Sequence, residues 1–450
     1  MRKEFQVLLI AISGVRIKDS ELLKLGMTLP GFIERSQTIA KLPSLSLLTL
    51  ASYCPSNWHP TYLEVDMLGE AIVNSISVGK FDLVAISTYT ARAYDTYLLA
   101  DKIRTNGIKV VIGGLHASAI PEEASRHADS VIQGQGELIW PQLLQDYEHG
   151  RLKPFYSSFD PRQPAYYLTN SKIPRYDLID FNHYNRITLQ TSRGCPLHCS
   201  FCAASRTISN FQLKPIENIR DELHHIFDLW DRPFLELADD NTFVDKSWSK
   251  ELLKLFRDFP MKWFTETDIS VADDPELLEL LAESNCAQIL VGLESAVPQS
   301  LTGIDSHDWK RRQYDHYLEK IERIQSHGIS VNGCFILGLD CDDERVFELT
   351  RDYINSSSLS EVQITLLTPF PGTQLFKTFK QQNRLLKSKF WDQCTLFDVT
   401  YKPAKMNPKA LEQGFRYLMK EVYEVRRVKE RKIKFKECRK NRIQLLAQGA

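Results

Sequence analysis

The stretch ITLQTSRGCPLHCSFC, residues 187–202, joins a short apolar segment to a loop that contains Cys195, Cys199 and Cys202. A run of apolar and β-branched residues that ends in turn residues is typical of a buried strand. The sequence therefore predicts a strand that leads directly into three closely spaced thiols. Thiolates are the ligands that zinc and iron–sulfur clusters prefer.

Two kinds of metal site are open to this loop. A zinc ion would take the three cysteines and His198, but His198 directly precedes Cys199 and the loop has no second ligand pair, which structural zinc sites usually have. A closed iron–sulfur site would need a fourth cysteine nearby. The other cysteines are scattered along the chain: Cys54, Cys286, Cys334, Cys341, Cys394 and Cys438. The pattern favours a four-iron cluster with one iron left free for a substrate or a cofactor.

The first 150 residues alternate apolar runs with helical patterns. The predicted strands are 6–12, 61–65, 82–88, 109–114 and 130–134. Near-continuous apolar strands separated by helices indicate a doubly wound parallel sheet, which binds ligands beyond the carboxyl ends of its strands. Thr88, Gly113, Gly114 and Gly134 follow such strands and are candidate binding residues.

A second series of strands and helices begins after residues 151–186, which read as a linker rich in Pro, Tyr, Ser and Asn. Its predicted strands are 187–192, 234–239, 263–268, 287–295, 330–339 and 362–370. Six such units over 187–384 predict an incomplete (β/α)6 barrel with its site at the carboxyl-terminal rim. Residues 385–450 lack this alternation and are expected to be mainly helical.

The C-x3-C-x2-C motif, with an aromatic residue before Cys202, resembles the radical S-adenosylmethionine superfamily. The resemblance implies that Cys195, Cys199 and Cys202 hold a [4Fe-4S] cluster whose fourth iron is chelated by S-adenosylmethionine. It further implies that an electron from the cluster breaks a sulfur–carbon bond and yields a 5′-deoxyadenosyl radical.

Two later segments are similar to cofactor-binding motifs of the same superfamily. Asp239 and Asp240 lie in a segment that would accept hydrogen bonds from the amino group of S-adenosylmethionine. Glu294 and Ser295 lie where the superfamily contacts the ribose. The alternatives are helix capping for the two aspartates and an ordinary buried ion pair for Glu294.

The segment from Gly333 to Gly338 is similar to the G-x-I-x-G sequence whose backbone binds the adenine. A plain strand with two glycines is its alternative. Residues 369–373, PFPGT, resemble a segment of one branch of the superfamily, which carries an N-terminal cobalamin-binding domain.

That branch implies that cobalamin lies over the carboxyl edge of the first sheet, near Thr88, Gly113, Gly114 and Gly134. The chain has no D-x-H-x-x-G sequence to supply a cobalt-binding histidine. His116 is therefore not assigned to cobalt, and a helix-capping or surface role is expected for it. The absence of the motif also leaves open that the domain is only a scaffold.

The resemblance implies C-methylation of an unactivated carbon, with the radical removing hydrogen and methylcobalamin supplying the methyl group. Oxidative cyclisation, radical chemistry without cobalamin, and a non-catalytic cluster or cobalamin carrier are the alternatives. The expected partners are a small-molecule or natural-product substrate and a reductant such as flavodoxin or ferredoxin. The sequence does not identify the substrate.

The composition of the chain limits which partners and which cell compartment we expect. The chain has 450 residues, a net charge of −1 and 43% hydrophobic residues, so no nucleic-acid partner is expected. Its basic, apolar start reads as a strand and not as an export signal, which predicts a cytoplasmic protein. A final helix from Val422 to Arg442 is rich in Lys and Arg and is expected to be a solvated surface. Membrane contact is expected only if the substrate is a lipid.

Overall fold

Two units, each with its own set of internal contacts, make up the chain. In a computed structural model, residues 3–12, 14, 21–22, 42–204 and 207–449 are described, with side chains as far as residue 440. The first unit takes its described residues from 1–15, 40–194 and 203–231. The second unit takes them from 16–39, 195–202 and 232–450, so the cysteine loop belongs to the second unit.

The first unit contains a parallel sheet in the order β2-β1-β3-β4-β5-β6. Its strands are β1 (Phe5–Ile12), β2 (Trp58–Val65), β3 (Leu83–Ser87), β4 (Lys109–Gly113), β5 (Ser130–Gln133) and β6 (Phe155–Ser157). Because β1 pairs with both β2 and β3, the strand order reverses at β1. This is the doubly wound arrangement that the apolar runs predict.

Helices connect the strands of the first unit. They span Leu45–Ser52, Glu70–Val78, Ala93–Thr105, Leu115–Ala119, Pro121–Ala124, Ile139–Glu148 and Ile216–Leu229. Their apolar faces pack on the sheet in a core that includes Leu47, Trp140 and Leu143. The first unit also contains the short strands β7 (Ile187–Leu189), β8 (Ser192–Arg193) and β9 (Gln212–Leu213), of which β8 and β9 pair antiparallel.

The strand β6 is a feature that sequence reasoning missed. Residues 151–186 read as a linker, but Phe155–Ser157 adds a parallel edge strand to β5. Tyr156 is buried and donates a hydrogen bond to the Asp146 carboxylate at 3.0 Å. Three residues are too few to produce a detectable hydrophobic alternation.

The second unit repeats the strand–helix unit along a second parallel sheet. Within it, the strands lie in the order β14-β13-β12-β11-β10. They are β10 (Phe234–Leu237), β11 (Lys262–Thr267), β12 (Cys286–Glu294), β13 (Ser330–Leu337) and β14 (Glu361–Leu366). All six strands predicted between 187 and 370 are therefore present, each shorter at its carboxyl end than predicted.

Helices of the second unit follow its strands. They span Lys246–Arg257, Pro275–Glu283, Trp309–Gln313, Tyr317–Ser326, Val346–Ser356, Gln374–Gln381, Pro408–Tyr423 and Val425–Gly449. The helix that begins at Pro275 illustrates how the sequence sets a boundary: the Asp274 carboxylate accepts from the Leu277 N–H at 3.1 Å, and proline occupies the first turn, where no N–H partner is needed.

The carboxyl-terminal region is helical, as predicted, but its last helix begins later than predicted. Val422 belongs to the helix Pro408–Tyr423, and Glu424 has an extended backbone with ψ of 134° that separates it from the helix Val425–Gly449. Among the described residues, no helix combines the length and the apolar character needed to cross a bilayer.

Candidate cofactor site

The cysteine loop leaves the first unit through a tight turn. Gly194 has a φ of +81°, and a Cβ atom there would lie 2.8 Å from the Asn210 carbonyl oxygen, so a larger residue is excluded. Cys199 is 7% exposed, whereas Cys195 and Cys202 are half-buried. The loop thus presents three thiols with different access to solvent.

Backbone hydrogen bonds from two later segments hold the middle of this loop. The Ser200 N–H donates to the Ile304 carbonyl at 2.9 Å. The Ser200 carbonyl accepts from the Leu375 N–H at 3.0 Å, just after the PFPGT segment. Both bonds lie within the second unit and fix Ser200 between Cys199 and Cys202.

The arrangement does not resemble a zinc site that includes His198. His198 is exposed, while the neighbouring Cys199 is buried. Within the described ranges, no three His, Cys, Asp or Glu side chains converge as they would around one metal ion. The cysteines of an iron–sulfur cluster bind different irons and need no such convergence.

Burial keeps the Cys195 and Cys199 thiols protonated in the protein alone. It raises the pKa of Cys199 to about 12, and Lys310 acts in the opposite direction. It also raises the pKa of Cys195, while hydrogen bonds from the Leu197 backbone and from the Asn241 amide oppose the shift. Because metal binding requires thiolates, cluster assembly must release these protons.

The acidic segment after β10 lies beside the first cysteine. Asp239 is buried, and its carboxylate accepts from the Thr242 hydroxyl at 3.2 Å. The amide of Asn241 donates to the Asp268 carboxylate at 2.9 Å and lies 4.0 Å from the Cys195 sulfur. Asn241 therefore links the ends of β10 and β11 to the cysteine loop, a role that the sequence does not reveal.

The helix-capping alternative for this segment is wrong. The following helix, Lys246–Arg257, has Asp245 as its N-cap, and the Asp245 carboxylate accepts from the Trp248 N–H at 2.9 Å. Asp239 and Asp240 precede that cap and belong to the loop at the end of β10. Their carboxylates are thus left at the carboxyl edge of the sheet.

The ion-pair alternative for Glu294 is present in the structure. The Glu294 carboxylate lies 2.8 Å from the Lys310 ammonium, and both side chains are at most 10% exposed. Glu294 has a φ of +66° at a register shift between β12 and β13. Burial alone would lower the pKa of Lys310, but the adjacent Glu294 carboxylate holds it above its ordinary value, so the lysine is charged.

The remaining candidates in the second unit have local structural roles. Ser295 is buried, and its hydroxyl accepts from the Val297 N–H at 3.0 Å. A Cβ atom at Gly333 would lie 2.9 Å from the Leu359 side chain. Gly338 has a φ of +91°, and its carbonyl accepts from the Tyr401 hydroxyl at 2.5 Å. The positive φ favours glycine at Gly338, whereas a side chain at Gly333 would require Leu359 to move.

The candidate residues of the first unit lie together at the carboxyl ends of β3, β4 and β5. The Thr88 N–H donates to the Gly113 carbonyl at 3.0 Å. The Ser118 hydroxyl donates to the Gly114 carbonyl and accepts from the Gly134 N–H, both at 2.9 Å. The sequence thus predicted correctly which residues meet at this edge.

Close contacts within the protein explain why two of these positions are glycine, even without a ligand. A Cβ atom at Gly114 would lie 2.9 Å from the Thr88 carbonyl oxygen, and one at Gly134 would lie 2.1 Å from the Ser158 hydroxyl. The Thr88 hydroxyl accepts from the Thr96 hydroxyl at 2.9 Å. Gly113 is half-buried, and a Cβ atom there would make an ordinary contact with Ile132 at 3.7 Å, so packing does not require glycine at this position.

His116 is fully buried, so the expected surface or capping role is wrong. Its ring nitrogens lie 3.1 Å from the Tyr97 hydroxyl and 3.3 Å from the Thr90 hydroxyl. Burial lowers the pKa of His116 to about 4, which keeps the ring neutral. The side chain is engaged inside the first unit.

These residues fit the groups that the motifs imply. Three cysteines in one loop would supply three of the four ligands of a [4Fe-4S] cluster. Carboxylates at the ends of β10 and β12 would supply acceptors for a cationic ligand. In the first unit, the half-buried residues Gly113, Gly114 and Gly134 add no side chains at the ends of β4 and β5, which allows a large ligand to approach the backbone at this sheet edge.

Two protein families match the chain in the same order as the two units. Residues 40–144 match the B12 binding domain, and residues 189–354 match the radical SAM superfamily. A radical SAM domain implies S-adenosylmethionine and a [4Fe-4S] cluster, and a B12-binding domain implies cobalamin.

Curated relatives cover most of the chain. Bacteriochlorophyllide d C-12(1)-methyltransferase of Chlorobaculum tepidum is 27% identical over 84% of this chain and 82% of its own length. The C-8(2)-methyltransferase of the same organism is 26% identical over 81% of this chain and 82% of its own length. Hopanoid C-2 methylase of Rhodopseudomonas palustris is 26% identical over 77% of this chain and 66% of its own length.

Solved structures share the fold. The radical S-adenosylmethionine methyltransferase TsrM of Kitasatospora setae has a TM-score of 0.65 and 15% identity, over 84% of this chain and 76% of that one. The cobalamin-dependent enzyme OxsB has a TM-score of 0.68 and 13% identity, over 92% of this chain and 66% of that one. With both domains matched in order and the three cysteines in place, the chain combines a B12-binding domain with a domain of the radical S-adenosylmethionine superfamily.

Proposed function

We propose that this enzyme transfers a methyl group to an unactivated carbon of a small molecule. The observation that carries the proposal is the pairing of a three-cysteine loop with a B12-binding domain in one chain. Relatives of the chain are named as methyltransferases of bacteriochlorophyllides and as a hopanoid methylase. The proposal gives C-methylation preference over oxidative cyclisation.

Within the second unit, we assign the cluster to Cys195, Cys199 and Cys202. When bound there, the cluster and S-adenosylmethionine supply a carbon radical that removes hydrogen from a substrate C–H bond. The protein residues bind and orient: the buried Asp239 accepts from the cofactor's amino group, and Asp240 adds negative charge beside it. Fixing both reactants in one geometry is the main contribution that the protein can make.

The end of β12 is assigned to the ribose. Ser295 lies next to Glu294, and the Glu294 carboxylate is held by Lys310 at 2.8 Å. Lys310 therefore fixes the position of Glu294, and we assign the second carboxylate oxygen of Glu294 to the ribose. Gly333 and Gly338 are assigned to the adenine through the backbone of β13, in addition to their packing roles.

In the first unit, we assign the carboxyl ends of β3, β4 and β5 to cobalamin, with Gly113, Gly114 and Gly134 giving close approach to the backbone and Thr88 contributing its backbone. The buried His116 is excluded from the lower face of cobalt because its ring faces Tyr97 and Thr90. The substrate is a small molecule or natural product, and an external reductant of the flavodoxin or ferredoxin type supplies electrons.

Anaerobic reconstitution tests this function. The full chain, loaded with iron, sulfide and cobalamin, is incubated with dithionite, methyl-labelled S-adenosylmethionine and a bacteriochlorophyllide as the first candidate acceptor. We expect 5′-deoxyadenosine to form, and label to enter a product that gains one methyl group. A product that instead loses hydrogen without label would indicate cyclisation and contradict the proposal.

Matched cysteine variants make the test specific. Cys199→Ala should abolish both the cluster absorbance and the formation of 5′-deoxyadenosine. Cys286→Ala, which removes an equally buried thiol at the start of β12, should preserve both. Formation of 5′-deoxyadenosine by Cys199→Ala would show that the cluster assignment is wrong.

A further inference from the structure

We propose that Asp342 is a positioning residue for S-adenosylmethionine, because its carboxylate ties the loop after β12 to the end of β13. These two segments are the ones assigned to the ribose and to the adenine, so the inference rests on the proposed function. Asp342 lies in the acidic stretch DCDDE, residues 340–344, which follows the G-x-I-x-G-like segment and belongs to no motif described above.

The Asp342 carboxylate accepts three hydrogen bonds from two segments of the second unit. One oxygen accepts from the Ser300 hydroxyl at 2.5 Å. The other oxygen accepts from the N–H groups of Gly338 at 2.9 Å and Leu339 at 3.0 Å. Asp342 and Ser300 are both buried, where hydrogen bonds are electrostatically stronger than in water. The carboxylate is therefore a firm link between the two segments.

Hydrogen bonds continue from Ser300 to the residue assigned to the ribose. Ser300 lies in the short turn Pro298–Leu301, and its N–H donates to the Val297 carbonyl at 3.0 Å. The Val297 N–H in turn donates to the Ser295 hydroxyl at 3.0 Å. Of these bonds, the one between Ser300 and Asp342 joins residues 42 positions apart. That bond connects the turn below Ser295 to the end of β13.

The peptide groups on both sides of Gly338 are fixed. Its N–H donates to Asp342, and its carbonyl accepts from the hydroxyl of the buried Tyr401 at 2.5 Å. Gly338 has a φ of +91°, which a residue with a side chain rarely adopts. Backbone that approaches a ligand has no side chain with which to adjust, so its position decides the fit. A misplacement of about 1 Å in such a group is costly even when it originates far from the reaction.

The charge state of Asp342 suits three donors. Burial raises its pKa to about 6, and Asp343 acts in the same direction, whereas the hydrogen bonds from Ser300, Gly338 and Leu339 oppose the shift. The carboxylate is therefore ionised at about pH 8, and both of its oxygens accept. An asparagine side chain has nearly the same size but replaces one oxygen with an NH2 group, which cannot accept. Asp342→Asn must accordingly lose at least one of the three bonds.

The test measures binding of S-adenosylmethionine to the reconstituted full chain by calorimetry at about pH 8. Asp342→Asn should lower the affinity about 2- to 30-fold, the range for residues that influence a site without touching its ligand. Ser300→Ala should also lower it. The two losses should not add in the double variant, because both substitutions break the same connection.

Methionine is the second probe, since it shares the amino acid part of S-adenosylmethionine and lacks the adenosine. Its binding to the reduced cluster, followed by electron paramagnetic resonance, should be equal in wild type and Asp342→Asn. Hydrogen exchange of the full chain shows whether the substitution acts where intended, because the N–H groups of Gly338 and Leu339 should exchange faster in Asp342→Asn.

Asp274→Asn is the matched control. It makes the same chemical change at an aspartate of the second unit that caps a helix, accepting from the Leu277 N–H at 3.1 Å. The affinity for S-adenosylmethionine should be unchanged in Asp274→Asn. Equal losses in Asp274→Asn and Asp342→Asn would overturn the inference, because they would reflect general loosening of the unit.

Three further results would overturn it: unchanged affinity for S-adenosylmethionine in Asp342→Asn, equal losses for S-adenosylmethionine and methionine, or losses that add in the double variant. If Asp342→Asn does not fold, the affinity of Ser300→Ala decides alone. A wild-type chain that binds S-adenosylmethionine as expected but methylates no acceptor would contradict the proposed function and leave this inference standing. A wild-type chain that does not bind S-adenosylmethionine would contradict both.

Discussion

The amide nitrogen of Asn241 lies 4.0 Å from the Cys195 sulfur while donating to the Asp268 carboxylate at 2.9 Å. The Asn241 carbonyl in turn accepts from the Asp268 N–H at 3.2 Å. One side chain thus connects the ends of β10 and β11 to the first cysteine. Groups that orient a metal ligand contribute strongly to metal affinity.

Asn241→Ala should therefore weaken cluster binding. We expect the apparent affinity of the variant for the cluster, measured by competition with an iron chelator, to be about 10- to 100-fold lower than that of the wild type. This is the range found for residues that orient metal ligands. Asn407→Ala is the control, because it removes an asparagine that caps the helix Pro408–Tyr423, accepting from the Ala410 N–H at 2.8 Å. Equal chelator resistance in Asn241→Ala and wild type would refute the role of Asn241.

Asp239→Ala should weaken binding of S-adenosylmethionine but preserve the cluster absorbance. A hydrogen bond to a charged group contributes about 1.5–3 kcal/mol, so the expected loss of affinity is about 10- to 100-fold. Calorimetric titration of the reconstituted protein measures it. Asp245→Ala, which removes the N-cap of the next helix, should lower stability by about 1 kcal/mol without changing this affinity. Unaltered affinity in Asp239→Ala would exclude the proposed contact.

Lys214→Met should destabilise the first unit. Lys214 pairs with Glu222 at 2.6 Å, and the two side chains are 4% and 2% exposed. Tyr176 donates to the other oxygen of Glu222 at 2.7 Å. Removing one partner of a buried pair leaves an uncompensated charge, so we expect a loss of about 3–5 kcal/mol in the free energy of unfolding.

Urea denaturation, with hydrogen exchange to identify the affected strands, measures this loss. Lys153→Met is the control, because Lys153 is exposed and lies 3.4 Å from Asp146. Removing Lys153 should lower the free energy of unfolding by less than about 1 kcal/mol. Similar effects of the two substitutions would mean that burial of the Lys214 pair has no energetic role.

His116 should make the first unit acid-sensitive. Its pKa is lowered by burial to about 4 in the folded state, from an ordinary value of 6.5. Above pH 6.5 the ring is neutral in both folded and unfolded states, so it adds no pH dependence there. As the pH falls from 6.5 to about 4, only the unfolded state gains a proton, and stability should drop by about 3 kcal/mol.

His116→Gln should remove this part of the pH dependence, as measured by urea denaturation of the two proteins between pH 4 and 7. His149→Gln is the control, since His149 is exposed at the end of the helix Ile139–Glu148. If wild type and His116→Gln lose stability in parallel over this range, His116 is not the responsible group.

The sequence predicts the strands of both units because their apolar runs are long and their periods are clear. The prediction fails where a strand is too short to produce a pattern, or where two adjacent helices produce one continuous pattern. The strand β6 has three residues, and the boundary at Glu424 interrupts two helical patterns that read as one. The predicted helix from Val422 therefore merges the end of one helix with the next.

At the site, spacing together with the preceding strand predicts Cys195, Cys199 and Cys202 as cluster ligands, because they lie within one loop. Asn241 and Lys310 are different, since Asn241 contacts Cys195 and Lys310 contacts Glu294, each from an element that is distant in sequence. Lysine in a basic segment usually faces solvent, and only the fold buries Lys310 against Glu294. Residues whose role depends on tertiary contacts carry no local pattern.

The two backbone bonds at Ser200 constrain how this protein matures. One partner, Ile304, and the other, Leu375, are synthesised long after the cysteines emerge from the ribosome. Since chains begin to fold from the amino terminus during translation, the first unit has most of its sequence available while the thiol loop still lacks its supports. The loop therefore takes its final shape only after residues as far as Leu375 have been synthesised.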